Sequence, residues 1–304
     1  MSLPSHFYFL QRGWINSNTI VITDGAGPVV VDTGHPSSAA GTARLIGQIV
    51  DLAEIRLIVN THCHWDHIGG NGALRQLSGA HTAVSAVTAH ILTTHDRRLM
   101  WLDYSAADYE PVAVDITWQD GDMVALGAYR FEVMATPGHV PDSIALYQPE
   151  TRLLISADAL HDRDCGILNT ALHGDHILDE AIATVEKLQQ YDVALVLPGH
   201  GDMITDPVAS LHALARRLAE FKIYPEKMAL HLLRRVTMTA VLLAQPISRQ
   251  QLIEEALARP WPHDYAARAN CPDPEQLLHQ LLDDFIHRGL AREQDGRLTS
   301  LVPR

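Results

Sequence analysis

Two β-branched runs open the chain, over 18–23 and 28–32, and the Asp24-Gly-Ala-Gly27 segment between them predicts a hairpin. Small and apolar residues at helical spacing over 37–50, entered through Pro36 and Ser37, predict a helix. The mostly apolar run 55–60 ends in polar residues, as a buried central strand does, and a helix over 72–78 and a strand over 81–85 follow. Residues 88–118 break the pattern and carry Trp101, Tyr104, Tyr109 and Trp118, which reads as an irregular excursion covering a site. Beyond Asp120-Gly121, strand patterns return at 122–126, 129–135, 143–147 and 152–156, then a helix over 178–191 and a strand over 193–197. The strand-then-helix order therefore runs twice. Two such halves packed sheet on sheet, with helices outside, make an economical layered α/β architecture.

From about residue 206 only helical periodicity remains, over 208–221, 225–237, 249–258 and 274–288, followed by a hairpin around Asp295-Gly296. Helices closed by a hairpin are the order of a winged helix. From Arg259 to the end there are six basic and seven acidic residues, so the module is not basic and fits packing or homodimer formation better than DNA reading. The expected division is a catalytic unit over 1–222 and a small helical, winged-helix-like domain over 223–304.

Composition narrows the function classes. A net charge of −13 argues against a general nucleic-acid binder, which needs a basic stripe to neutralise phosphates. Cys63, Cys165 and Cys271 lie far apart, which is no disulfide framework and fits a reducing compartment. The apolar run 7–10 stops at Gln11-Arg12, and no apolar stretch is long enough to span a bilayer, so a cytoplasmic protein without membrane partners is the expectation.

The chemistry concentrates after the 55–60 strand, in Thr61-His62-Cys63-His64-Trp65-Asp66-His67-Ile68-Gly69-Gly70. Side chains two apart in extended chain point the same way, so His62 and His64 can converge on one ion while Cys63 points away. Asp66 and His67, after the chain turns, can face a second. His139, Asp158 and His200 each follow a predicted strand, with Gly138 and Gly199 leaving room for two of those loops. His62, His64 and His139 then make one site; Asp66, His67 and His200 make another, with Asp158 able to bridge. Three protein ligands per ion leave an open position, the mark of a catalytic rather than structural site. Nitrogen and carboxylate donors suit two divalent ions, with zinc first by prevalence and manganese or iron compatible by ligand type.

These residues resemble the metallo-β-lactamase superfamily: the 62–67 stretch matches its His-x-His-x-Asp-His motif, and His139, Asp158 and His200 fall in its later ligand positions, in order. The resemblance implies an αββα sandwich over about 6–222 with a dimetal site at one sheet edge, and a structural role for Asp32 in Asp32-Thr33-Gly34. Having both His67 and a bridging Asp158 is closer to hydroxyacylglutathione hydrolases, acyl-homoserine lactonases and the nuclease branch than to true β-lactamases. The lactonases carry a tyrosine three residues after the bridging aspartate, where this chain has His161. The C-terminal module resembles the appendage of esterase- and thioesterase-like relatives.

The expected reaction is attack of a metal-bound hydroxide on the carbonyl of a small-molecule ester, thioester or lactone, with Asp66 orienting the nucleophile or shuttling a proton. Trp65, Tyr104, Tyr109 and His161 are the candidate substrate-binding residues. Three rivals accompany this reading: a mononuclear-iron persulfide dioxygenase, a phosphodiesterase or nuclease, and a metal-containing regulatory or interaction protein.

Overall fold

The computed structural model describes residues 3–105 and 110–303. One sheet has six strands in sequence order: β1 (Phe7–Leu10), β2 (Thr19–Ile22), β3 (Val29–Val31), β4 (Leu57–Val59), β5 (His81–Ser85) and β6 (Ile116–Trp118). The first three pair antiparallel, and β3 to β6 run parallel. The second sheet holds β7 (Met123–Leu126), β8 (Tyr129–Ala135), β9 (Ile144–Gln148), β10 (Leu153–Ala157) and β11 (Leu195–Pro198), antiparallel except for the parallel β10–β11 pair.

Alternation along the strands explains the layering. Ile20, Ile22, Val31 and Val59 of the first sheet meet Phe131, Val133, Leu146, Ile155 and Leu197 of the second in one buried cluster. Their neighbours point the other way: Val21, Val30 and Ile58 pack under α1 (Ala39–Ile46) and α3 (Asn71–Ser78), with the short α2 (Trp65–Ile68) between. Both strand faces are therefore apolar, which is why these runs read as continuously hydrophobic. Each such buried side chain contributes about 1.5–3 kcal/mol.

The segment 88–118 is more ordered than its pattern predicts. Among its described residues it holds most of α4 (Ala86–Thr94), α5 (Leu102–Ser105) and the edge strand β6, and Ser85 caps α4 by accepting from the Thr88 amide. Leu92 and Ile91 of α4 pack with Trp65 and Met100, so burial rather than regular periodicity holds it.

On the second sheet, α6 (Thr170–His173), α7 (His176–Leu188) and α8 (Pro207–Ile223) follow, and Leu211, Leu214 and Leu218 of α8 pack with Val185 and Val196 to complete the αββα sandwich. Pro225 then starts α9 (Pro225–Ala244), succeeded by α10 (Arg249–Leu257), α11 (Pro260–Ala266), α12 (Pro274–His287) and the antiparallel pair β12 (Ala291–Gln294) and β13 (Arg297–Ser300). Two features depart from expectation: α9 runs on past Thr237, and α11 fills a stretch to which the periodicity assigned no element. Thr237, Met238, Val241 and Leu242 of α9 are buried, and this packing outweighs the weak helix propensity of the β-branched positions. The C-terminal helices share a core with Ile15 from the start of the chain. No helix among the described residues is long and apolar enough to cross a membrane.

Candidate metal centre

β4, β8, β10 and β11 end at the same edge of the sandwich, and their following loops deliver the functional side chains. The two sheets are tied there by the Ile144 amide donating to the Thr61 carbonyl (2.9 Å), and the Cys63 amide donates to Asp142 Oδ2 (2.8 Å). Asp158 is aimed by an irregularity in the β10–β11 register between Ile155 and Ala157, with Ala157 in the left-handed region at φ 49°. Such bulges beside a site redirect a side chain.

The structure brings all seven predicted ligands together. His62, His64 and His139 form one group of converging donor atoms, Asp66, His67 and His200 another, and His62, His67 and Asp158 a third that overlaps both. The Nε2 of His139 and the Nδ1 of His64 lie 2.9 Å apart. The two oxygens of Asp158 divide between the halves. Oδ2 stands 3.5 Å from His139 Nε2, while Oδ1 stands 3.5 Å from His67 Nε2 and 3.8 Å from His200 Nε2. His200 Nε2 also lies 3.2 Å from Asp66 Oδ2.

Hydrogen bonds on the far side of two rings fix their orientation. His139 Nδ1 donates to the Ile167 carbonyl (2.7 Å), and His67 Nδ1 donates to Asp32 Oδ2 (2.7 Å). Because a carbonyl only accepts, His139 keeps its proton on Nδ1 and presents a bare Nε2 inward. The buried Nε2 atoms of His62, His64 and His67 have no hydrogen-bond partner. A buried polar nitrogen without a partner is costly, and a cluster of them facing carboxylates fits a cation. The donor set is imidazole and carboxylate, with Cys63 turned into an apolar cluster with Ile91 and Met100.

Electrostatics agree. Burial pushes the imidazoles of His62 and His64 well below the usual histidine range, and lowers His139 too, so these rings are neutral and able to ligate. Burial acts the same way on His67, but the carboxylates of Asp32, Asp158 and Asp66 outweigh it and push the ring up to about 10. For Asp66 and Asp158 burial works to raise the pKa, yet the surrounding histidines hold both well below the usual carboxylate range. Ionised carboxylates beside the neutral imidazoles of His62, His64 and His139 match a divalent ion, and the positive charge that the same carboxylates favour on His67 marks where a cation is attracted.

Close approach requires glycine at two places. A Cβ on Gly199 would lie 2.3 Å from Asp158 Oδ1, and one on Gly166 would lie 2.5 Å from His139 Cγ. Gly166 was not legible in the sequence, since it precedes no motif. Asp32, expected to be structural, holds the ring of His67 and also accepts from the Thr61 amide (3.0 Å) and hydroxyl (2.8 Å). Trp101, at φ 57°, sets its ring 4.5 Å from that of His64 and donates from Nε1 to His173 Nε2 (3.1 Å).

Of the candidate substrate residues, Trp65, Tyr104 and His161 line a single cavity of about 1230 Å³ that opens onto His64, Asp66, Asp158 and His200. His161 Nε2 also reaches Asp158 Oδ1 (3.2 Å), and the Tyr104 hydroxyl bonds Asp264. Tyr109 lies outside the described residues.

Comparison with known proteins bears on this arrangement. The chain is 25% identical over 217 residues to a β-lactamase-like protein 2 homolog of Caenorhabditis elegans, covering 69% of this chain and 66% of that one. It is 30% identical over 128 residues to a human mitochondrial persulfide dioxygenase (41% and 42% of the two chains). It is 38% identical over 115 residues to a hydroxyacylglutathione hydrolase of Rhodobacter capsulatus (38% of each). The chain thus spans from about two-fifths to just under two-thirds of these relatives' lengths. A metallo-β-lactamase family protein of Thermus thermophilus shares its fold at TM-score 0.59 and 19% identity, over 98% of this chain and 100% of that one. A metallo-β-lactamase of Cronobacter sakazakii does so at TM-score 0.61 and 21% identity, over 75% and 97%. Residues 12–200 match the model of the metallo-beta-lactamase superfamily, and to that superfamily the chain belongs.

Proposed function

We propose that this protein is a dinuclear metal-dependent hydrolase acting on an ester, thioester or lactone carbonyl of a small molecule. The observation that carries the reading is the division of Asp158, one oxygen toward His139 and the other toward His67 and His200. In this reading His62, His64 and His139 hold one ion, Asp66, His67 and His200 the other, and Asp158 lies between them. Zinc is the metal first expected. Two divalent ions at such a centre supply a water of lowered pKa and Lewis acidity toward a carbonyl oxygen.

The protein's own groups set the direction of approach. His62 and His67 are fully buried, whereas the side chains of Asp66 and His200 keep 17% and 22% of their surface. Substrate therefore enters over Asp66 and His200. An ionised Asp66 at that mouth can accept a hydrogen bond from the attacking water and hold it in line. His161, which lines the cavity and lies 3.2 Å from Asp158 Oδ1, can hydrogen-bond a polar substrate atom. Trp65 and Trp101 also line the cavity, Trp101 with its ring 4.5 Å from that of His64.

The similarity to persulfide dioxygenase supports a second reading, with one iron on part of the same ligand set. Hydrolysis assays across thioesters, lactones, aryl esters and phosphodiesters with zinc-loaded protein separate the alternatives. Turnover of carbonyl esters is expected. Oxygen consumption with a persulfide by iron-loaded protein, and no hydrolysis, would overturn the proposal.

A further inference from the structure

The cavity over the metal centre does not end there. It continues away from Asp66 and His200 into the C-terminal helices, reaching Leu252 of α10 and Trp261 of α11. At about 1230 Å³ it exceeds the roughly 300–1,000 Å³ usual for a small-molecule site.

The second half of α9 shows what the extension is built for. Thr237, Met238, Val241 and Leu242 face the helical core and are at most 3% exposed. Val236, Ala240, Leu243 and Ala244 form a second apolar stripe on the other side, only partly buried, and this stripe lines the cavity. A helix apolar on both sides is normally buried on both. Here the second side, partly packed against the core, lines a cavity that also reaches the reacting centre, with Thr239, Glu255 and Arg259 among its other lining residues. From Val236 to Ala244 the stripe is about 12 Å long at 1.5 Å per residue, and Ile15 and Ile167 join it toward the metal end. The helices around it are anchored to the catalytic loops. Arg235 donates to the Cys165 carbonyl (2.9 Å) and pairs with Asp164, and the Trp14 indole donates to Thr239 (3.0 Å).

We infer that this arm of the cavity is a substrate subsite for a linear, apolar acyl chain of medium length, whose carbonyl lies at the metal centre while its alkyl part rests along the α9 stripe toward Trp261. The inference rests on the carbonyl-hydrolase reading above and adds the substrate class. A chain seated there removes apolar surface from water with each added carbon, so affinity rises with length until the end wall is met.

Linear methyl ketones test this apart from turnover, because they carry the carbonyl but cannot be hydrolysed. Binding of the series from butanone to dodecanone to zinc-loaded protein is measured by titration calorimetry. Affinity should rise roughly two- to fourfold per methylene and then level off. Ala240→Trp, and independently Leu243→Trp, place an indole in the arm and should flatten the series; circular dichroism verifies that each variant is folded. Equal affinity across the series for the wild-type protein, or an unchanged length dependence in both folded variants, would overturn the subsite even if short esters are hydrolysed. Length-dependent binding that both variants abolish, with no acyl ester turned over, would keep the subsite and remove the hydrolase reading beneath it.

Discussion

His67 donates its Nδ1 proton to Asp32 across 2.7 Å, and both side chains are buried. The same Asp32 oxygen accepts from the Thr61 hydroxyl, and the other accepts from the Thr61 amide, so one carboxylate fixes both the start of the ligand loop and the ring within it. Asp32 itself sits at φ 56°, a conformation that aspartate tolerates better than most residues. The bond decides which nitrogen of His67 is free to ligate.

Asp32→Asn should therefore weaken metal binding at the Asp66, His67 and His200 set by about 10- to 100-fold. Competition with a chromogenic chelator measures it. Affinity equal to wild type would mean that Asp32 serves only the backbone.

Gly166 lies against both His139 and Asp158. Gly166→Ala forces His139 aside, and a displacement of this size costs on the order of 10²-fold in rate. The expected outcome is a fall in kcat with reduced metal content. Unchanged steady-state kinetics would contradict the close packing on which this rests.

His64→Ala removes a ligand from the three-histidine group and should abolish turnover together with metal content. Elemental analysis and esterase assays on the same preparation check it, and retained activity would count against the assignment.

Asp164 pairs with Arg217 of α8 (2.7 Å) and, through His231 (3.1 Å) and Arg235 of α9, joins its loop to the C-terminal helices. Burial works to raise its pKa, but the His231 hydrogen bond and the two guanidinium groups hold it well below the carboxylate range. A carboxylate with a depressed folded pKa contributes stability that is present above its unfolded pKa of about 4 and is lost as pH falls through the folded value. Asp164→Asn should thus cost about 3–5 kcal/mol near neutrality. The gap from wild type should narrow below about pH 4. Urea unfolding at several pH values measures both. A gap independent of pH would show that the ionised carboxylate is not the stabilising group.

Much of the site was legible because ligand-bearing segments follow strands whose apolar character is plain, as with Leu57–Val59 before His62 and Leu195–Pro198 before His200. The rest depended on contacts distant in sequence. Gly166 matters only because a loop passes over His139, and Ile167 contributes a carbonyl that no side-chain pattern reveals. Trp101 reaches His64 from a strained turn inside the stretch read as irregular. α11 begins with Pro260-Trp-Pro262, whose two prolines hide the helix that the burial of Trp261 and Tyr265 holds in place. α9 outruns its propensity because packing holds one face, and its other face defines the cavity arm that the sequence concealed.

Anomalous diffraction from crystals grown with zinc, with data on both sides of the metal edge, tests the dinuclear claim most directly. Two ions are expected about 3.5–4 Å apart, with Asp158 contributing an oxygen to each. One ion alone at full zinc loading, or two ions with Asp158 turned away from either, would contradict it.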